Sequence, residues 1–178
     1  LLSMGLLINE SDTVAVRGPL ATRYVQQFLR NVAWGDVDFL ILDLPPGTGD
    51  IQLTIVQTAE LDGVVVVTTP QEVALIDARK AIGLFERVET PILGIIENMS
   101  YFQCPSDGKI YHIFGEGGGE REAAKLGVPL LGKIPLDIST RFGGDEGRPV
   151  ALEDPGQNPV SAAFRQVAEQ CARVVLDR

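Results

Sequence analysis

The stretch Leu42-Asp43-Leu44-Pro45-Pro46-Gly47-Thr48-Gly49-Asp50 decides the fold class, because it closes an apolar run over residues 37–44. An acidic residue at the end of a buried strand is what a Mg²⁺ site needs, since this hard cation prefers oxygen ligands. The double proline stiffens the turn, and Gly47 lets a backbone N–H approach a phosphate. The alternative is that Asp43 caps the next helix and the prolines form a plain turn.

Further apolar runs of the same kind follow along the chain. Including the first, the predicted strands cover residues 37–44, 63–69, 92–98 and 130–134, and each is expected to be buried on both faces. Between them, helical periodicity predicts helices over residues 20–32, 51–61, 73–88 and 158–176. This alternation predicts an α/β fold with a doubly wound, mostly parallel sheet flanked by helices. We find no domain boundary and expect one α/β domain over residues 1–178.

The composition excludes several classes of protein. The chain has 178 residues, 45% of them apolar, and a formal net charge of −9, so neither a nucleic acid nor an anionic membrane is an expected partner. No apolar stretch approaches the roughly 20 residues that span a bilayer. Two cysteines, Cys104 and Cys171, and one histidine, His112, exclude a disulfide scaffold and favour a cytoplasmic protein.

Ligands of open parallel sheets bind beyond the carboxyl ends of the strands, which directs attention to the residues after each run. Asn98 ends the third run and can donate to and accept from an adenine edge, or else form an Asx turn. The fourth run ends in Ile134-Pro135-Leu136-Asp137, where Pro135 could cover one side of a base. Together these residues are ordered as expected for a nucleotide site.

The remaining glycine motifs, the histidine and the second cysteine do not indicate a specific binding site. Neither of the two Gly-Lys pairs, at 108–109 and 132–133, is followed by Ser or Thr, so the chain contains no phosphate-binding P-loop motif. The glycines of 115–119 form no dinucleotide fingerprint and are expected in a loop that leads into a helix near residues 121–126. We interpret His112 as a loop or packing residue, and Cys171 as part of the buried face of the last helix.

A series of short motifs runs along the chain. They are Ser3-Met4-Gly5, Arg17-Gly18-Pro19, Trp34-Gly35-Asp36-Val37-Asp38, the run from Asp43 to Asp50 with Gln52-Leu53-Thr54, Thr68-Thr69-Pro70-Gln71, Asn98-Met99-Ser100-Tyr101-Phe102, Ile113-Phe114-Gly115 and Gly132-Lys133-Ile134-Pro135-Leu136-Asp137. In this order they resemble the motifs of the Mrp-type (ApbC-like) P-loop ATPases, which are similar to MinD, ParA and the nitrogenase iron protein. The resemblance extends over nearly the whole chain and is most specific in residues 43–54.

The resemblance implies an ATP-dependent carrier or scaffold for iron–sulfur clusters that works as a homodimer and serves iron–sulfur client proteins. It implies that Asp43 is the catalytic, Mg²⁺-linked acid and that Gly47 lies near the γ-phosphate. Asn98, Pro135 and Asp137 would then bind the nucleotide. Family members carry a lysine-rich P-loop in a segment that precedes the Ser3-Met4-Gly5 match, so we expect this chain to be the carboxyl-terminal part of a nucleotide-binding domain that hydrolyses ATP when complete.

The resemblance also implies a metal role for Cys104, because the family holds a [4Fe–4S] cluster across its dimer with a Cys-Pro-x-Cys motif. This chain has Cys104-Pro105-Ser106-Asp107 instead, so a dimer would offer two thiolates, and Asp107 replaces the second cysteine. An alternative function is therefore a MinD- or ParA-like protein that uses ATP to switch its interactions and carries no cluster. A third possibility is a folding unit without activity.

Overall fold

The structure is a computed structural model that describes residues 1–6, 18–45, 47 and 49–178. Arg17, Pro46 and Thr48, which belong to motifs quoted above, lie outside the described residues. The chain divides into two compact units, Leu1–Leu61 and Asp62–Arg178. The expectation of a single domain stays a prediction.

The first unit contains two α-helices among its described residues, after a short 3₁₀ turn at Met4–Leu6. Helix α1 spans Gly18–Asn31 and α2 spans Asp50–Thr58, and the two pack against each other. Val25, Phe28 and Leu29 of α1 are half-buried, as the helical periodicity predicts. Just beyond α1, the Trp34 indole N–H donates to the Phe28 carbonyl at 3.1 Å.

The second unit alternates strands and helices. Its central strands are β1 (Val64–Thr68), β2 (Ile92–Glu97) and β5 (Leu130–Lys133). A small hairpin is formed by β3 (Phe102–Gln103) and β4 (Ile110–Tyr111). The helices are α3 (Glu72–Arg87), α4 (Gly118–Leu126), α5 (Ile138–Asp145) and α6 (Pro159–Leu176), with a 3₁₀ turn at Val150–Leu152 before α6.

The sheet of the second unit is parallel, in the order β1-β2-β5. One face packs on α3 and α4, where Val66 and Ile95 join Ala78, Ile82 and Ala123 in the core. The opposite face packs on α6, which contacts β5 and β2. Gly132 permits that contact, because a Cβ there would lie 2.5 Å from Val167 Cγ2. Helices on both faces of a parallel sheet confirm the predicted α/β class.

The predicted strand over residues 37–44 is wrong. No strand is formed there, and Ile41 is 88% exposed. An apolar run becomes a parallel strand only where a neighbouring strand binds its backbone groups, and none of the described residues pairs with this run. Asp43 therefore lies in an irregular segment rather than at a strand tip.

Two burial predictions also need correction. Strand β1 is not buried on both faces, since Val67 is 60% exposed. It is an edge strand of the described sheet, and α6 packs over β5 and β2 on the opposite side of that sheet from α3. Cys171 is half-buried rather than fully buried, and this partial burial raises the pKa of its thiol.

Candidate functional site

The carboxyl ends of β2 and β5 lie side by side in the second unit. The Asn98 N–H donates to the Thr68 carbonyl at 2.7 Å, and the Ile134 N–H donates to the Glu97 carbonyl at 2.9 Å. The Ser100 N–H closes the edge with a 3.0 Å bond to the Ile134 carbonyl. The structure thus brings the predicted residues Asn98 and Pro135 to one edge of the sheet, as the strand-end rule predicts.

The side chain of Asn98 makes one local hydrogen bond. Its side-chain oxygen accepts from the Met99 N–H at 3.0 Å, which supports the left-handed conformation of Met99, with φ of 51°. Its amide nitrogen makes no hydrogen bond to the described residues. Asn98 is half-buried, so this NH₂ group is available to a ligand at the sheet edge.

The side chain of Asp137 caps the N-terminus of α5. Its Oδ1 accepts from the Thr140 N–H at 3.1 Å and from the Ser139 hydroxyl, which makes it the N-cap of α5. Beside it lies an open apolar cavity of about 470 Å³. The cavity is lined by Phe102, Ile113, Leu136, Asp137, Ile138, Arg141 and Phe142.

Cys104 lies in the turn of the β3–β4 hairpin. Its N–H donates to the Lys109 carbonyl and its carbonyl accepts from the Gly108 N–H, both at 2.8 Å. The Cys104 sulfur lies 3.0 Å from Ser106 Oγ, and this hydrogen bond lowers the pKa of the thiol by stabilising the thiolate. A half-buried thiol with thiolate character suits iron ligation.

Asp107 shares the same turn and is held in its ionised form. The Lys109 N–H donates to its Oδ1 at 3.0 Å, and this bond, with a hydrogen bond to Cys104, lowers the pKa of the carboxyl group. Lys109 Nζ lies 3.6 Å from Asp107 Oδ2. Within residues 1–6, 18–45, 47 and 49–178, no group of three or more His, Cys, Asp or Glu side chains is placed to hold a metal ion. In this turn, Cys104 and Asp107 are the side chains that could ligate a metal ion.

The first unit holds the other two predicted site residues. Asp43 is exposed, and Gly47 adopts φ of +97°, which only glycine reaches without strain. Buried Gln52, in the first turn of α2, donates from Nε2 to the carbonyls of Pro45 at 2.7 Å and of Gly47 at 2.9 Å. Gln52 therefore holds the turn that contains Gly47, a role that the sequence analysis missed.

An ion-pair network between α3 and α4 was also missed. Glu122 is 6% exposed at its side chain and accepts from Arg79 at 2.6 and 2.9 Å and from Lys125 at 2.8 Å. Arg79 also reaches Glu72 at 2.7 Å. These contacts lower the pKa of Glu122 to about 2, chiefly through the hydrogen bond from Arg79.

The network predicts a pH-dependent stability. The pKa of Glu122 is lower in the folded protein than in the unfolded chain, so its ionised carboxylate contributes to the free energy of unfolding. This contribution is complete above the unfolded pKa of 4.5 and is lost as the pH falls toward about 2. Glu122→Gln should lower the free energy of unfolding by about 1–2 kcal/mol at neutral pH, a value reduced for the partial exposure of Arg79. Urea unfolding at a series of pH values checks this. A difference between wild type and variant that stays constant from neutral pH to pH about 2 would contradict the assignment.

None of the helices in the described part of the chain is long and apolar enough to cross a membrane.

Comparisons with known proteins agree with these features. A family model described as ParA: NUBPL iron-transfer P-loop NTPase matches residues 1–172. An iron-sulfur cluster carrier protein of Pyrococcus furiosus is 48% identical over 169 residues, which are 95% of this chain and 57% of that relative. The chain spans about half the length of the curated relatives it matches.

Solved structures give the same fold. A nucleotide-binding protein from Archaeoglobus fulgidus, solved in complex with ADP, matches with a TM-score of 0.66 and 43% identity over 72% of this chain and 53% of that chain. The septum site-determining protein MinD of Pyrococcus horikoshii, complexed with Mg-ADP, matches with a TM-score of 0.61 and 26% identity over 84% of this chain and 56% of that chain.

Proposed function

Because this chain belongs to the family of ParA- and NUBPL-type iron-transfer P-loop NTPases, we propose that it binds ATP with Mg²⁺ and carries an iron–sulfur cluster to other proteins. One observation carries the cluster part of this proposal. Cys104, a half-buried thiol with a lowered pKa, lies in a hairpin that leaves the sheet directly after the candidate nucleotide residue Asn98. The thiol and the sheet edge are thus linked by a few residues of chain.

For the nucleotide, the residues present fit the roles we assign. Asn98 offers a free amide NH₂ to the base, and Pro135 lies at the neighbouring strand end to pack against it. Asp137 shapes this edge through its cap of α5. The ADP-bound relative from Archaeoglobus fulgidus supports a nucleotide of this class.

For the phosphates, we assign Asp43 as the acid linked to Mg²⁺ and Gly47 as the residue near the terminal phosphate. Asp43 is an exposed carboxylate, and Gly47 has a positive φ of +97°, with its carbonyl held by Gln52. The Mg²⁺ ion would supply neutralisation of charge on the phosphate oxygens. Hydrolysis of ATP by the protein that contains this chain is part of the proposal.

The cluster is cargo, and we propose that two copies of the chain share it. Two chains together would present two Cys104 thiolates and two Asp107 carboxylates. Ile110, Tyr111 and Ile113, on and next to the hairpin, are exposed apolar side chains, which supports contact with a second copy at this surface. Two free cysteines support the cytoplasm as the compartment, and iron–sulfur apoproteins are the proposed partners.

A second function is favoured by one observation. Asp107 occupies the position where a second thiolate would be needed, and it is engaged by Lys109. A carboxylate matches cluster iron less well than a thiolate. The second candidate is therefore an ATP-switched interaction protein without a cluster, resembling MinD.

Anaerobic loading with iron and sulfide distinguishes the two functions. We expect wild type to retain iron and sulfide through gel filtration, and Cys104→Ser to retain at least about tenfold less, because it removes both thiolates of a shared site. Cys171→Ser is the matched control, since Cys171 lies on α6, and it should load like wild type. Equal iron in the Cys104→Ser variant, or none in wild type, would favour the switch protein.

A further inference from the structure

Glu97, the last residue of β2, is a charged side chain in an unusual place, because it is 0% exposed. Carboxylates are almost never fully buried unless they are paired. The two oxygens of Glu97 have different partners. The Ser100 hydroxyl donates to Oε1 at 2.5 Å, and the Gly119 N–H donates to Oε2 at 2.7 Å.

The two partners are the first and last residues of one segment of the chain, residues 100–119, which we call the excursion. Ser100, which is 3% exposed, follows β2, and beyond it Phe102 still pairs with Leu136 after β5. Gly119 lies in the first turn of α4, where the chain rejoins the layer of helices. Residues 101–118 between them contain the whole β3–β4 hairpin with Cys104. One buried carboxylate therefore closes the base of the segment that presents the thiol.

The fit around this carboxylate is close. A Cβ on Gly119 would lie 3.1 Å from Glu97 Cβ and 3.2 Å from Glu97 Oε2, so glycine lets α4 approach the side chain. The partial positive charge of the α4 N-terminus adds to the hydrogen bond from Gly119. The Glu97 main chain is fixed as well, because its carbonyl accepts from Ile134 and the next residue, Asn98, donates to Thr68.

We propose that Glu97 is a positioning residue that holds the Cys104 hairpin in a fixed relation to the sheet edge at Asn98. It does so by binding the first and last residues of the excursion with the two oxygens of one carboxylate. This inference deepens the proposed function, since it names what joins the thiol to the nucleotide edge.

Hydrogen exchange of backbone amides tests the proposal, because it reports local opening. Glu97→Leu replaces the carboxylate with an apolar side chain of similar size and so removes both acceptors, leaving the Ser100 hydroxyl and the Gly119 N–H unpaired. Exchange over residues 101–117 should rise at least about tenfold relative to β1 and α6. Glu97→Gln should stay within about twofold of wild type, because its amide can accept from Gly119 and donate to the Ser100 oxygen.

Glu122→Leu is the matched control, since it also removes a buried carboxylate, one that lies on α4 itself and outside the excursion. It should open α4 and α3 and leave residues 101–117 unchanged. A purely structural role of Glu97 predicts that exchange in Glu97→Leu rises throughout the second unit, β1 and α6 included, rather than selectively over residues 101–117. Unchanged hairpin exchange in Glu97→Leu, or equal opening in Glu97→Gln, overturns the proposal.

Should Glu97→Leu fail to fold, Ser100→Ala provides the test, since it removes one of the two hydrogen bonds. Exchange over residues 101–104 should then rise about threefold, and an unchanged rate overturns the proposal. These measurements need neither nucleotide nor iron. A protein that binds no ATP and no cluster would contradict the proposed function while leaving this result intact.

Discussion

Replacing Asp107 by cysteine is expected to increase chelator-resistant iron in the anaerobically loaded protein by at least about tenfold. Two copies of the Asp107→Cys variant would present four thiolates, the usual ligand set of a cluster, in place of two thiolates and two carboxylates. The position is suited to this change, because Asp107 lies in the same hairpin turn as Cys104. Iron remaining after incubation with a chelator is the quantity to measure.

Asp107→Ser is the matched control, since it removes the carboxylate without adding a thiolate, and it should hold no more iron than wild type. Circular dichroism must show that each variant is folded. If wild type already holds a full, chelator-resistant cluster, the carboxylate is an adequate ligand and our account of Asp107 is wrong. If Asp107→Cys is folded and still loses its iron, the two turns do not share a cluster.

Asp43→Asn is expected to lower ATP hydrolysis at saturating MgATP by at least about tenfold, equivalent to roughly 1.4 kcal/mol in the barrier. Asparagine keeps the size of the side chain but removes the charge that we assign to the Mg²⁺ ion. Asp43 is exposed, so stability should change little. The measurement is made on the whole gene product that contains this sequence.

Asp38→Asn serves as the control for Asp43, because it removes a nearby exposed carboxylate from the same irregular segment. It should leave turnover unchanged. Turnover of Asp43→Asn equal to wild type would remove Asp43 from the metal site. A matching loss in Asp38→Asn would show that general charge in this segment, rather than Asp43, supports the reaction.

The three strands of the parallel sheet were predictable because each is a short apolar run, and hydrogen-bonded neighbours are available to β1, β2 and β5. The run over residues 37–44 has the same composition and forms no strand. The composition of a segment indicates its tendency to form a β-strand. A strand in a sheet also requires hydrogen-bond partners for its backbone N–H and C=O groups. Nothing within residues 37–44 could reveal whether such a partner is present.

The candidate site was predictable where it follows from topology. Asn98 and Pro135 end neighbouring parallel strands, so the strand-end rule was sufficient to place them at one edge. Glu97 could not be identified in this way, because a glutamate at a strand end resembles a solvated residue. Its burial depends on Gly119, which is 22 positions away, and the one signal in the sequence was the run of glycines at 115–119.

The hairpin that contains Cys104 shows a similar limit. Its strands have two residues each, too short for any periodic pattern. The pairing of Phe102 with Tyr111 joins positions separated by a turn with Gly108 in the left-handed region. The motif Cys104-Pro105-Ser106-Asp107 indicated the chemistry, and the structure added the hydrogen bonds that stabilise the thiolate and the carboxylate.

Cluster transfer tests the central claim most directly. The protein is loaded anaerobically with iron and sulfide, separated from free iron, and mixed with an iron–sulfur apoprotein. A chelator traps released iron, at a concentration that does not strip the loaded wild type alone within the time of the transfer. A carrier should rebuild the cluster of the acceptor faster than the chelator collects the iron, and the Cys104→Ser variant should not. Iron that reaches only the chelator, or equal transfer by Cys104→Ser, would contradict the account.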